Sequence, residues 1–428
     1  MSLAAVRRAE AALLIPTYDR LPVLFRRGRG VYLYDDQGRA YLDFLTGIGV
    51  NALGHGHPAI LRALKKQAGQ LLHVSNLFYH DHQAALARKL AKISGLDRVF
   101  FTNSGTEAIE GALKLARAYA RLNNANGRKP KWRILALDNS FHGRTFGALA
   151  ATGQAKYRAP FMPLMPGVRF VKFNDVRDLE RQFDSSVCAI LLEPIQGEGG
   201  IQPLSAQFLQ RARSLARKHD ALLIADEIQC GLGRTGHWFA SEALGVHPDV
   251  ITVAKPLAAG LPLGAILATE RAARAFHPGM HGTTFGGGPL ACAVALAFLE
   301  TLERERLLSN VRRTGRYFRG RLEELKKRYD FIRTVRGAGL MLAMELTFPG
   351  KEIVKQALAQ GVVLNCTHNT VLRFLPPYIV QPKHVDKVIA VLESIFRSEA
   401  QAERRPRAKP RGALEVSLDV SPRSASKP

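Results

Sequence analysis

Cysteine is scarce in this chain: Cys188, Cys230, Cys292 and Cys366 are the four among 428 residues, and they stand far apart. Most lie within apolar runs, as reduced packing thiols do, so the pattern excludes a disulfide scaffold and a cysteine-held metal site. Long hydrophobic runs are also lacking. No apolar stretch approaches the roughly eighteen residues that a membrane span needs. Met1–Arg20 has neither the cationic start nor the unbroken apolar stretch of a signal peptide, and the expected location is the cytoplasm. No internal repeat is visible.

Acidic residues are few as well. Thirty-six Asp and Glu face 61 Lys and Arg, a formal net charge of +25. The end of the chain does not explain this excess. Between Glu403 and Pro428 seven basic and three acidic residues contribute only +4, which leaves +21 on the rest. Such a balance raises nucleic acid, a membrane surface or an acidic partner as candidates. No interleaving of aromatic and basic residues typical of an RNA-binding module accompanies it, so the excess reads as steering of anionic substrates or cofactor, or as a bias of the host.

What is present is a large apolar fraction, 46%, against 23% charged residues. A chain of this length and balance buries a substantial core and is expected to divide into two domains. The stretch that organises it runs from Ala225 to Lys255. Residues 221–225 are apolar and end in Asp226; Val250–Ala254 are apolar and end in Lys255, with Pro256 stopping the strand. A carboxylate and an amine at the carboxyl ends of two buried strands sit where open α/β sheets bind ligands. That placement suits pyridoxal phosphate: the lysine holds the aldehyde as a Schiff base and the carboxylate keeps the ring nitrogen protonated. A loop carboxylate and a surface lysine are the plainer alternatives for either residue alone.

Several neighbouring segments carry the same texture. Ser104-x-x-Glu107 matches a capping box at the start of a helix carrying Ile109, Leu113 and Ala116, where exposed amides next to Gly105 make a phosphate cradle. Glu110 and Lys114 are placed as an i,i+4 ion pair on that helix. The segment Asn123–Lys131 reads as a surface loop. Phe141 is suited to stack on a planar ring and Arg144 to grip a carboxylate, with a core phenylalanine and a solvated arginine as the plain alternatives. His55-x-His57 and His80-x-His82 have metal-ligand character, but no further ligand pattern completes a site, and no metal is expected.

Taken together, Phe-Thr-Asn-Ser104-Gly-Thr106-Glu-Ala, Ser-Phe141-His-Gly-Arg144-Thr, Glu-Pro-Ile-Gln-Gly-Glu198-Gly-Gly, Asp226-Glu-Ile-Gln229, Ala-Lys255-Pro-Leu and Thr283-Thr284-Phe-Gly-Gly resemble the class III pyridoxal phosphate aminotransferases. The likeness covers about residues 15–397, in order, and is strongest to members acting on N-acetylornithine. It implies an α/β fold of type I, with a large mixed-sheet α/β/α domain and a smaller α+β domain. The expected division is residues 1–58 as an arm and β meander packing with the small domain, 59–305 as the large cofactor-binding domain, 306–398 as the small domain, and 399–428 as a basic disordered tail.

The resemblance also implies roles. Lys255 would be the Schiff-base lysine and the proton carrier, and Asp226 the partner of the ring nitrogen. Gly105 and Thr106 would bind the phosphate, with Thr284 reaching it from the neighbouring subunit of a homodimer. Phe141 and Ile228 would cover the two ring faces and Gln229 would reach the phenolic oxygen. Arg144 would hold the donor carboxylate with Thr283 nearby, while Arg373 would bind the dicarboxylate partner and pair with Glu198 when it is absent.

The implied reaction is transfer of the δ-amino group of N2-acetyl-L-ornithine to 2-oxoglutarate, a step of arginine biosynthesis. Ornithine, succinylornithine, 4-aminobutyrate and lysine on a small acidic carrier protein are the alternative donors. A nucleic-acid-binding protein on a silent transaminase fold is the reading from another class. Gly288, where the family usually has asparagine, and the basic tail depart from the pattern.

Overall fold

A computed structural model describes residues 1–122 and 131–404. The chain enters through a helix, Leu3–Leu13, and an antiparallel meander of β1 (Phe25–Arg29), β2 (Tyr32–Asp35) and β3 (Ala40–Asp43).

The central sheet takes β4 (Arg98–Thr102), β5 (Arg133–Leu137), β6 (Val168–Val171) and β7 (Val187–Leu192). After the short ribbon β8 (Ile195–Gln196) and β9 (Gln202–Pro203), it adds β10 (Leu222–Asp226), β11 (Val250–Val253) and β12 (Gly264–Ala268). Its seven strands lie in the order β4-β12-β11-β10-β7-β5-β6. Every pairing is parallel except those of β12, which runs antiparallel to both β11 and β4. Because β7 and β10 are buried along their whole length, they read as continuous apolar runs rather than alternating ones. Helices Gly105–Leu122 and Ala206–Lys218 belong to different apolar clusters, one against each face of the sheet.

The remaining strands are β13 (Ile332–Ala338), β14 (Met341–Leu346), β15 (Val362–Val363), β16 (Asn365–Thr367) and β17 (Val371–Phe374). Four of them form a sheet ordered β13-β14-β17-β16, while β15 pairs parallel with β3, Val362 opposite Leu42. The meander is thereby stitched to the end of the chain. One apolar cluster runs from Leu42 and Phe44 through Phe298 and Phe318 to Phe374 and Phe396.

The last helix extends past its expected end: it spans Pro382–Arg404, into the tail expected from residue 399. Residues 399–404 are Glu-Ala-Gln-Ala-Glu-Arg. They are poor in large apolar groups, which reads as disorder, yet all are strong helix formers continuing an established helix. The rest of the expected tail, residues 405–428, and residues 123–130 of the expected surface loop lie outside the described residues. Among the described residues no helix is long and apolar enough to cross a membrane.

Candidate active site

The carboxyl ends of β7, β10 and β11, three adjacent strands, deliver Glu193, Asp226 and Lys255 to one crevice. A cavity of about 420 Å³ opens over them. Ser104–Thr106, Phe141–Arg144, Glu193, Asp226, Ile228, Gln229 and Lys255 all line it. Five segments distant in sequence thus converge where the strand-end pattern pointed.

Lys255 begins a short 3-10 turn with φ +28°, in the left-handed region that non-glycine residues rarely adopt. Pro256 follows it at once, so the strand cannot continue and the side chain is turned toward the cavity. Burial pushes its ammonium below the ordinary lysine range, against the pull of the Asp226 and Glu198 carboxylates. A lysine so placed favours the neutral, nucleophilic amine.

Asp226 is buried and fully engaged. Its Oδ2 lies 2.7 Å from His142 Nδ1, and its Oδ1 accepts from the Ile228 amide at 3.1 Å. Since a carboxylate only accepts, Nδ1 carries the imidazole proton and the ring is fixed in that tautomer. His142 Nε2 is buried without a partner. Glu193, at the end of β7, accepts the amide hydrogens of Phe141 and Gly197, both at 2.9 Å. Burial raises its carboxyl, opposed in part by the hydrogen bonds from the Gly197 and Phe141 amides.

The start of the Gly105–Leu122 helix supplies the anion cradle. Ser104 Oγ accepts from the Glu107 amide at 3.3 Å as a capping residue does. Glu107 reaches back one residue further than the capping box predicts, to the Asn103 amide at 2.6 Å. A Cβ on Gly105 would meet Ile228 Cδ1 at 2.9 Å, so glycine lets the helix start pack against Ile228 where any side chain would push it aside. The expected Glu110–Lys114 pair does not form. Lys114 instead donates to Met280 O and His281 Nδ1, and Glu110 turns to residues 145–148.

Arg373, on β17, is completely buried. Its Nη1 donates to Glu198 and, at 3.3 Å, to Gln229 Oε1, while Nε donates to Asn365 Oδ1 at 3.1 Å. Burial acts to raise the Glu198 carboxyl, but the Arg373 charge and hydrogen bond outweigh it and the net shift is downward. Arg144 is exposed at the cavity mouth, its guanidinium 4.1 Å from the centre of the Tyr157 ring.

Thr283 and Thr284 do not line this cavity. They share a separate depression with Glu107, Glu110 and His281, where Thr283 Oγ1 accepts from Asn103 at 3.1 Å. The histidine pairs are spent inside the protein: His55 bonds Asp43, His57 and His80 cap helices, and His82 bonds Gln67.

Sequence reasoning passed over His142, Glu193 and the turn of Glu110. Glu193 carries the signal that singled out Asp226, a carboxylate ending an apolar strand. For His142 and Glu110 the signal is tertiary.

The donor set fits pyridoxal phosphate. Amides at a helix start meet a dianion. A buried carboxylate, braced by His142, the Ile228 amide and the Thr252 hydroxyl, meets a protonated ring nitrogen, and an amine with a depressed pKa meets an aldehyde.

Comparisons with known proteins point to one family. The family model described as "Aminotransferase class-III" matches residues 15–396. The chain is 49% identical over 379 residues to the acetylornithine aminotransferase of Methanocaldococcus jannaschii, covering 89% of this chain and 94% of that one. It is 48% identical to that of Aquifex aeolicus, over 90% and 99%. Among solved structures, the ornithine aminotransferase of Toxoplasma gondii superposes with a TM-score of 0.89 at 33% identity, over 94% and 96% of the two chains. The acetylornithine aminotransferase of Elizabethkingia anophelis gives 0.83 at 31%, over 93% and 100%. The architecture is accordingly the fold type I α/β arrangement, and the chain belongs to the class III aminotransferase family.

Proposed function

We propose that the protein uses pyridoxal 5'-phosphate to transfer the δ-amino group of N2-acetyl-L-ornithine to 2-oxoglutarate, giving N-acetyl-L-glutamate 5-semialdehyde and L-glutamate. The observation that carries the reading is the Glu198–Arg373 pair, joined to the Lys255 cavity through Gln229, in a chain nearly half identical to acetylornithine aminotransferases. When bound, the cofactor supplies an electron sink next to the carbon that gives up the amino group.

Lys255 would hold the group through Nζ. The same Nζ, once the incoming donor amine has displaced it, would take the proton from the donor carbon and return it, a task that the burial-lowered affinity of its amine for a proton suits. Asp226, braced by His142 and the Ile228 amide, opposes the positive ring nitrogen. The Gly105 and Thr106 amides bind the phosphate, and Phe141 and Ile228 hold the ring between them. Gln229, which shares a hydrogen bond with Arg373, serves the phenolic oxygen.

Arg144 grips the donor carboxylate at the mouth, which leaves the far amine at the Lys255 end. Arg373 and Glu198 solve a different problem. One pocket must accept a chain without a second carboxylate in one half-reaction and a dicarboxylate in the other. A buried guanidinium left alone is costly, by about 3–5 kcal/mol. Glu198 neutralises Arg373 during the first half-reaction and yields it to 2-oxoglutarate in the second.

The apolar Leu77–Tyr79 and Phe285 are exposed beside Thr284. We take this face as the meeting surface of two copies, which would carry Thr284 to the partner's cavity.

The net charge of +25 favours a second reading, in which the donor is lysine carried on an acidic protein. A visible-range spectrum of the purified protein, followed by turnover with a panel of amino donors, tests both. Free N-acetylornithine is expected to be used best; a strong preference for a carrier-bound amine would overturn the substrate assignment.

A further inference from the structure

The carboxylate of Glu110 is spent in an unusual way for a helix residue. It lies one turn beyond Thr106 on the Gly105–Leu122 helix, half-buried, and faces across to residues 145–148. One oxygen, Oε1, accepts from Thr145 Oγ1 and from the Gly147 and Ala148 amides at 2.9 and 3.1 Å. These amides belong to the first turn of the short helix Phe146–Ala150, so the carboxylate also caps that turn. The approach is close: a Cβ at 147 would meet Glu110 Oε2 at 2.3 Å, so a side chain there would displace the carboxylate.

The contact continues toward the cavity. Thr145 Oγ1 lies 2.9 Å from Thr106 Oγ1, and Thr106 Oγ1 accepts from the Arg144 amide at 3.3 Å. Thr145 has one hydroxyl proton, and an ionised carboxylate can only accept. Thr145 therefore donates to Glu110 and accepts from Thr106. The Thr106 proton is thereby committed to the loop, which leaves the cofactor phosphate to the backbone amides of the cradle.

We infer that Glu110 is a positioning residue: through Thr145 it locks the loop bearing Arg144 to the helix start bearing Thr106, and so fixes the distance between the donor-carboxylate grip and the phosphate cradle. This rests on the aminotransferase reading above. Glu110 touches neither substrate nor cofactor. Its effect is on where Arg144 stands relative to the amine that must reach the Lys255 end.

The test uses the full-length holoenzyme and three variants, Glu110→Ala, Glu110→Gln and Thr145→Val. Glu110→Ala is expected to raise KM for N-acetylornithine about tenfold while kcat and KM for 2-oxoglutarate change by about threefold or less, the loss of one charge-assisted contact acting on one substrate. Glu110→Gln keeps an acceptor for the two amides and is expected to recover about half of that loss on a logarithmic scale. Thr145→Val cuts the hydroxyl relay and leaves the capped turn, so it keeps the proposal testable if Glu110→Ala does not fold.

On an Arg144→Ala background, Glu110→Ala is expected to add less than about twofold to donor KM, because the grip it positions is gone. Unchanged donor KM in both Glu110→Ala and Thr145→Val, or equal losses on the two substrates, overturns the inference. Absence of turnover in the wild-type protein with every amino donor overturns the functional reading instead.

Discussion

Two arginine–glutamate arrangements in this molecule use the same chemistry in opposite surroundings. Near the crevice, Arg373 is completely buried and, among the described residues, its single carboxylate partner is Glu198. On the surface of the last helix, Glu393 bonds Arg328 and Arg397, each at 2.7 Å, and both arginines are open to water at 49% and 69% exposure. The outer set is a solvated clamp, each pair worth a few tenths of a kcal/mol. The inner pair has given up water on one side entirely, so either partner alone would be a liability. A protein that keeps such a pair beside a cavity has a use for a charge that can be handed over.

Substitutions in the two regions test this contrast. Lys255→Ala is expected to abolish transamination, by about 10⁴-fold or more, with the melting temperature held within about 2 °C. Turnover retained in this variant would remove Lys255 from the chemistry. Arg373→Ala is expected to raise KM for 2-oxoglutarate about a hundredfold and to lower the melting temperature by about 5 °C, since Glu198 then stands half-buried without its cation. If 2-oxoglutarate kinetics were untouched, the inner pair would be merely structural.

Arg144→Ala is expected to raise KM for N-acetylornithine about thirtyfold with a smaller effect on 2-oxoglutarate, read from initial rates at varied concentrations of each. Equal effects would mean that the two carboxylate grips are misassigned.

The outer clamp should give the smallest response. Glu393→Gln is expected to cost about 0.5 kcal/mol at neutral pH, with kinetics unchanged. Hydrogen bonds from Arg328 and Arg397 hold the Glu393 carboxyl down at about 2, against an ordinary 4.5. A depressed carboxyl stabilises the folded state above its unfolded pKa. The difference between wild type and variant should therefore be full above pH 4.5 and fade as pH falls toward about 2, as denaturant midpoints at several pH values would show. A difference that grew on acidification would contradict the clamp.

The two regions also differed in how far they could be read beforehand. Buried strands ending in Asp226 and Lys255 announce themselves, because an apolar run cut off by a charge is a one-dimensional signal of a sheet edge. The helix start at Ser104-Gly105 is similarly local, and its cap forms with a one-residue shift. His142 beneath Asp226 is not local: 84 residues separate them, and only the order of strands brings them together. Glu110 shows the opposite failure. Helical spacing pairs it with Lys114, yet three donors from another segment outbid a solvated ion pair worth little. The last helix outran its expected end because composition measures burial better than it measures helix propensity.

The reversed strand β12 carries a consequence for how the site is assembled. Asp226 and Lys255 end neighbouring strands, which stand about 4.8 Å apart, whereas β12 and β11 stand between the strand leading to Gly105 and the one that ends in Asp226. Strand order alone would leave the anion cradle remote from the buried carboxylate, yet Gly105 sits against the Ile228 side chain, two residues past Asp226. The turn after β4 therefore folds the helix start back across two strands, and the reach of that turn, rather than the sheet, sets how far the cradle stands from the carboxylate.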